Sequence, residues 1–561
     1  MHTISEFLLY KYNDSAHFLI YEFANFIGSL HLPSGWIAKD LYADLLTLKA
    51  ILFLSSYLHP LFLNNLLIAL SFFLTLLCAL RLFRKIIGKN SNLFVVFSLF
   101  FSLSIFFLYR VTSVTPALYF VFIFPLLTYL LISKSNLLLI EFFILLSFLI
   151  SNYYGFFALV LVVLWYFADL FLSKELSLKR VILLGKKLFI VVIPVLLFVI
   201  VFFTPQVINN LPVFGKYKVL STEERISNVP RVYRPIESWY NLSFRPWYFF
   251  IPPKSSLFFG DLSKRLYKKI ESTNYYLADD YMEEEMGGSY MGWHFLLGMG
   301  FVAVLLLLKK FKKKEYPIFK TVYENQEMIV RSFFIIFCIL LISGPPSFTI
   351  RGITFYTPSY LLYYIVPVFR TLVRWAVVIY LFVLIINSYL VQDLYDLMKN
   401  TWQKVLFIVV FLSLNFVIFA IKIPVINVSK PPLEISYLKE KYPGSVPYAV
   451  YPKGDYYSIF WIISHEDLLI NPVNFVNYET GFNSNEFSKN LITEEGIKEF
   501  LSFNPRYLLY YEESISDEDL ISISSINPKI TSKKGIVEFF ERNVGLGRKI
   551  DGVYVFGVFD R

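Results

Sequence analysis

The chain has 561 residues, of which 56% are hydrophobic and 17% charged, and its formal net charge is +10. Soluble domains run near 45–50% apolar and about 25% charged, so at a mean hydropathy of +0.57 a soluble globular enzyme is excluded and lipid must solvate much of the chain. The positive charge does not indicate nucleic acid, because the basic residues sit in short loops between apolar blocks, the pattern of positive-inside membrane topology.

Residues 1–25 contain Lys11, Asp14 and Glu22 and lack a continuous apolar core, so they do not read as a cleavable signal peptide. Insertion is therefore expected to be driven by a later span. Segment 14–30 reads as a helix with Asn13 or Asp14 as N-cap and an apolar stripe of Phe18, Tyr21, Phe26 and Ile27, lying along the outer membrane interface. Residues 49–61 are too short to span and are interrupted by Pro60, which predicts a re-entrant or interfacial piece, and 356–368 reads similarly.

Ten spans are predicted, at 63–83, 92–110, 114–133, 136–152, 154–173, 186–204, 292–309, 331–345, 373–392 and 403–422. Each approaches the ~20 apolar residues needed to cross ~30 Å of hydrocarbon. The loops 81–90 (Arg81, Arg84, Lys85, Lys89), 174–187 (Lys174, Lys179, Arg180, Lys186, Lys187) and 309–331 (six Lys and Arg331) are basic and alternate with nearly uncharged ones. They are expected on the cytoplasmic side. Three hydrophilic pieces then fall outside: the segment 1–62, the loop 205–291 and the tail 423–561. An N terminus placed outside with no span before it is unusual, which raises the expectation of a further helix upstream. Cys78 and Cys338 both fall inside expected spans, so neither a disulfide framework nor a zinc site is available.

The tail alternates strand-like and helix-like runs at 446–452, 456–465, 493–503, 506–513, 534–543 and 552–559, as expected of a small α/β module. It contains no Gly-rich phosphate loop. The fold class expected is thus a polytopic α-helical membrane protein of about ten to eleven spans with a soluble C-terminal α/β domain. The divisions are 1–62, 63–204 (six spans), 205–291, 292–422 (four spans) and 423–561.

Ionisable groups at or near the membrane are costly and are the first candidates for chemistry. Asp14, followed by Glu22, stands at the start of the first external segment. A carboxylate there can deprotonate an acceptor hydroxyl or hold a metal that neutralises a lipid-linked phosphate, or it can serve only as a helix cap. Asp40 and Asp44 lie one turn apart, a spacing suited to sharing a cation but routine on a solvated helix face. Arg225, Arg231, Arg234 and Arg245 stand among aromatics in the 205–291 loop; guanidinium forks suit phosphate, although an interfacial belt with headgroup-binding arginines has the same composition. Asp279, Asp280, Glu283, Glu284 and Glu285 form an acidic cluster that either binds a divalent cation or caps a solvated helix start. Arg351, Arg370 and Arg374 are further phosphate-contact candidates, or arginines that snorkel at span ends. No Ser-His-Asp set, Walker motif, metal-spaced histidine pair or dinucleotide fingerprint is present.

Several pieces carry a resemblance: the opening YNDSAHFLIYEF, SNYYGFF (151–157), RPWYFFIPP (245–253), EEEMGGSYMGWHFLLG (283–298), PVFRTLVRWAVVIYL (367–381), YAVYPKGD (448–455) and NYETGF (477–482). With an external aspartate near the start, many spans, one large mid-chain external loop and a soluble external tail, the chain resembles the GT-C glycosyltransferase superfamily, and within it the YfhO-like family of prokaryotic membrane proteins. The resemblance implies transfer of a sugar from a polyprenyl-phosphate donor to an extracytoplasmic lipid, polymer or protein, at the cytoplasmic membrane. It implies Asp14 as general base, the external arginines as donor-phosphate contacts, and a divalent cation as an optional cofactor. The alternative expectation is a non-enzymatic scaffold or lipid-linked-substrate transporter with an external interaction domain.

Overall fold

The structure, a computed structural model, describes residues 60–89, 91–112, 118–172, 177–202, 236–272, 283–365, 371–422, 433–442, 447–452, 468–469 and 486–558. Among them eight helices are long and apolar enough to cross a membrane, and two shorter apolar helices accompany them. Every one of the ten expected spans holds a helix. In chain order these are α1 (Pro60–Ile87), α2 (Leu93–Ser102) with α3 (Ile105–Thr112), α4 (Ile123–Ile132), α5 (Leu137–Ile150), α6 (Asn152–Phe171) and α7 (Leu178–Phe202). After α8 (Gly260–Glu271) and the single turn α9 (Glu283–Met286) come α10 (Trp293–Lys312), α11 (Lys320–Glu324) and α12 (Gln326–Ser343). A hairpin of β1 (Ser347–Ile350) and β2 (Ile353–Tyr356) and the short α13 (Pro358–Ile365) lead to α14 (Ala376–Asp396) and α15 (Thr401–Phe419).

Three spans differ from expectation for local reasons. The expected helix 92–110 breaks at Leu103 and restarts after Ser104, whose hydroxyl accepts from the Phe107 amide at 3.4 Å as a helix cap. Ser98 and Ser102 bond back to the carbonyls of Phe94 and Ser98, a habit that bends helices and prepares the break. The expected 114–133 shortens to α4, preceded by turns over 118–122; α4 tolerates Pro125 because it lies in the first turn, where its missing N–H has no intrahelical partner. At 10 and 14 residues, α4 and α5 reach only about 15 and 21 Å at 1.5 Å per residue, short of the hydrocarbon thickness.

The bundle has a centre. Every residue in the most apolar stretch of α14 is buried, and α14 packs against α1, α2, α4, α10, α11 and α12. Between helices in lipid the hydrophobic effect contributes little, so close packing and interhelical hydrogen bonds must hold them. Asn387 of α14 supplies one, donating to the Phe295 carbonyl of α10 at 3.0 Å. A Cβ on Gly298 would stand 2.1 Å from the Asn387 carboxamide oxygen, so that glycine admits the contact. By contrast α7 and α15 are the outer helices, presenting Phe189, Leu197, Val410 and Phe416 outward.

The C-terminal region adds α16 (Leu433–Lys441), α17 (Glu494–Ser502), α18 (Asp517–Ile526) and α19 (Lys533–Asn543) to a sheet of β3 (Pro447–Tyr451), β4 (Leu468–Leu469), β5 (Tyr507–Tyr511), β6 (Gly547–Ile550) and β7 (Val553–Gly557). The strand order is β4-β3-β5-β7-β6. β3 pairs β5 in parallel, with Tyr448 opposite Tyr507, which requires a crossover, and α17 lies in that connection. β5, β7 and β6 run antiparallel. Ala449, Tyr451, Leu508, Tyr510 and Phe556 from the sheet close a core with Ile497, Phe500, Ile536 and Phe540 from the helices. The expected strands near 446–452, 506–513 and 552–559 and helices near 493–503 and 534–543 are all present. Strands β4 and β6 and helices α16 and α18 add to that expectation, and the run 456–465 lies outside the described residues.

Candidate functional site

At one end of the bundle the termini of α3, α10, α12 and α14 converge, and the loop 242–251 is stitched between them. The Phe244 amide donates to Ser343 at the end of α12 (2.7 Å), Val373 before α14 donates to the Leu242 carbonyl (3.0 Å), and Met291 before α10 donates to Phe249 (3.4 Å). Glycine makes the approach possible. A Cβ on Gly287, in the turn between α9 and α10, would stand 2.6 Å from the Tyr109 ring of α3.

Glu285 lies at the focus of this end. Arg110 Nη1 donates to its Oε2 at 2.9 Å, Arg374 Nε donates to the same oxygen at 3.0 Å, and Arg374 Nη2 reaches Oε1. Arg110 and Glu285 are buried and Arg374 nearly so. The Arg374 guanidinium also lies 4.6 Å from the centre of the Tyr153 ring, and Trp375 stacks on Phe157 at 3.9 Å. Burial by itself would raise the Glu285 carboxyl, but the two guanidiniums oppose it and hold the group down at about 2. Glu285 is therefore ionised at neutral pH and too weak a base to take a proton from a hydroxyl.

Glu283 is occupied separately. Its carboxylate accepts from the Tyr109 hydroxyl (2.6 Å), the Ser255 amide (2.9 Å) and hydroxyl (2.7 Å), and the Lys254 amide (3.0 Å). Arg245, buried, donates to the Tyr240 carbonyl at 2.6 Å and to the Ser243 hydroxyl, which fixes its loop.

These contacts correct the reading for two members of the acidic cluster, Glu283 and Glu285, while Asp279 and Asp280 lie outside the described residues. Glu285 belongs neither to a solvated helix start nor to a cation cage, because both its oxygens are filled by arginine, and Glu283 is filled by hydroxyl and amide donors. Among the described residues no group of three His, Cys, Asp or Glu side chains is arranged to hold a metal ion. Arg374 sits at a span end, as expected, but it pairs inward rather than snorkelling. Arg351 is not brought to this cluster; it stands exposed at the tip of the β1–β2 hairpin. Asp14, Glu22, Asp40, Asp44, Arg225, Arg231, Arg234 and Arg370 lie outside the described residues, as does the side chain of Glu284.

Sequence reasoning misses Arg110 and Tyr109. A signal is present: Arg110 ends an apolar run on the face assigned no basic loops, and a lone arginine there needs a partner.

The opposite end carries a second ion cluster. Arg331 of α12 pairs with Asp169 of α6 and with Glu327 one turn earlier (3.1 Å), while its guanidinium lies 4.5 Å from the Trp165 ring centre. Toward the same end of α14, Asp393 accepts from the Thr321 and Val322 amides at 2.8 and 3.0 Å, closing the start of α11 onto α14. Compared with known proteins, the chain matches no family model, no curated protein and no solved structure.

Proposed function

We propose that the chain is a multi-pass plasma-membrane glycosyltransferase of GT-C type, moving a sugar from a polyprenyl-phosphate donor to an extracytoplasmic lipid, polymer or protein. The observation that carries the reading is the gathering of three arginines withdrawn from solvent, Arg110, Arg245 and Arg374, at the end of the bundle away from the basic loops. Guanidinium groups held in a low-dielectric setting stabilise phosphate far better than the same groups in water. In the proposed step the acceptor oxygen bonds to the anomeric carbon as the bond from that carbon to the donor phosphate breaks. The electron pair leaves on the phosphate and the acceptor proton passes to Asp14. Since Glu285 is held at about 2 by its partners, it positions Arg110 and Arg374 and is not the base. A divalent cation is an optional addition, and nucleic acid is no partner. The large loop and the C-terminal sheet domain face outward in this reading.

A second reading is favoured by one observation: Glu283 and Glu285 at this end are already engaged by the protein's own groups. That arrangement suits a clamp joining α3, α9 and the start of α14 in a non-enzymatic scaffold or transporter. Mass spectrometry of surface glycans separates the two, using a deletion strain complemented with wild type or Asp14→Asn at matched protein levels. The transferase reading expects wild type alone to restore a missing sugar. An unchanged glycan profile on deletion would overturn it, and restoration by both would remove Asp14 from the chemistry.

A further inference from the structure

We infer that the β1–β2 hairpin and α13 form an amphipathic wedge that lies in the bilayer's interfacial layer, with phospholipid as its partner. The inference does not rest on the transferase reading. Arg351 and Gly352 both adopt positive φ, +50° and +82°, the two-residue turn whose twist matches paired antiparallel strands. The register places Phe348 opposite Phe355, and Ile353, two residues before Phe355, falls on the same face, so that face of the hairpin is apolar. On the other face Ser347 pairs with Tyr356 and Thr349 with Thr354.

Among the described residues the polar face ties the hairpin to the protein only at its root, through Ser347. The Ser347 hydroxyl is 2.6 Å from the Tyr240 hydroxyl, and Thr349 and Thr354 bond across the strands at 3.2 Å. Beyond the root the hairpin stands clear of the protein on both faces, with Ile353 62% and Phe355 45% exposed on the apolar one and Tyr356 65% on the other. An isolated two-stranded hairpin is marginal in water, and bulky apolar side chains gathered on one face make water the wrong solvent for it. Helix α13 continues the pattern: it buries Ser359 and Tyr363 and exposes Leu361 and Ile365, one turn apart.

Three features identify lipid as the occupant. The hairpin begins four residues after the apolar α12 ends at Ser343, so it cannot leave the level of the membrane surface. The rings of Tyr356, Tyr360 and Tyr364 contact one another in sequence, tilted and then edge-to-face, at 4.6 and 5.1 Å between ring centres, and tyrosine is a residue of the membrane interface. The one charged residue of the hairpin, Arg351, is at its exposed tip, where a guanidinium meets lipid phosphate.

The test is site-directed spin labelling of the full chain, with Cys78 and Cys338 replaced by serine, in vesicles of phosphatidylcholine and phosphatidylglycerol. Labels at Ile353→Cys and Phe355→Cys are expected to be relaxed by oxygen in preference to a water-soluble nickel chelate. Their oxygen-to-nickel ratio should exceed that at Thr349→Cys and Thr354→Cys by at least about 3-fold, as for side chains seated several ångström into the acyl boundary. Equal nickel access at all four sites would overturn the proposal in favour of a hairpin in water. Exclusion of both reagents from 353 and 355 would overturn it in favour of a covering protein, from this chain or a second copy. Phe355→Trp, quenched by brominated acyl chains if the proposal holds and unquenched if it fails, draws the same distinction without a label.

Discussion

The two ends of the bundle solve the same problem with opposite stoichiometry. At one, a single carboxylate, Glu285, is shared by two arginines withdrawn from solvent; at the other, a single arginine, Arg331, is shared by Asp169 and Glu327. The first cluster is sealed. The second is open, its acids 42% and 74% exposed, so water and salt share the load. A sealed cluster must be complete to be tolerated, because a charge left over has nowhere to go, whereas an open one loses members gradually.

The largest effect should come from Glu285→Ala, which removes the carboxylate that two guanidiniums withdrawn from water share. A loss of about 3–5 kcal/mol is expected, read as collapse of folded yield and of the melting temperature in detergent. Replacing Arg110, Glu285 and Arg374 together by methionine should recover much of that stability, since no member of the cluster then keeps a charge without its partner. If such a variant folds and still makes the proposed glycan, the arginines do not serve the donor.

Next in size is Arg331→Ala, which removes the Asp169 pair and the contact with Trp165 together. A loss of about 1–3 kcal/mol in melting experiments fits a half-exposed ion pair plus a cation–π contact; a loss as large as that of Glu285→Ala would erase the distinction between the ends. Gly287→Ala should cost about 1–3 kcal/mol by forcing the α9–α10 turn away from Tyr109.

Acid should separate the clusters more finely. The folded Glu285 carboxyl lies at about 2, below its ordinary 4.5. Its contribution is therefore complete above about 4.5 and lost as pH falls from there toward 2. Melting temperature of wild type should decline over that window, and the all-methionine variant should lack that component of the decline. Smallest of all, Glu327→Gln should change stability by no more than about 0.5 kcal/mol, the usual worth of an exposed i,i+4 pair.

What is legible in the sequence follows the range of the physics. Each span is announced within its own ~20 residues, because lipid imposes a length and a composition locally, and eight of the ten expected spans hold a helix long and apolar enough to cross, the other two a shorter apolar helix. The tail's strands and helices are readable for a similar reason, by period. The break at Leu103–Ser104 escapes such a reading because serines in an apolar run look like tolerated small residues, not a cap. The hairpin at 347–356 reads only as a short loop, although Arg351-Gly352 between alternating residues carries its turn. The Arg110–Glu285–Arg374 cluster is invisible to local reading, since its members stand 175 and 89 positions apart. Of the three, only Glu285 and Arg374 stand out as candidates, and neither is read as the other's partner.

The enclosure of α14 has a consequence for biogenesis. Among the described residues α14 is the seventh of eight helices long and apolar enough to cross a membrane, and most of the helices that surround it precede it in the chain. Those helices must hold their inner faces against lipid until α14 arrives, and Asn387 and Asp393 find their partners only then. A chain cut short before α14 would therefore lack the element its other helices pack around.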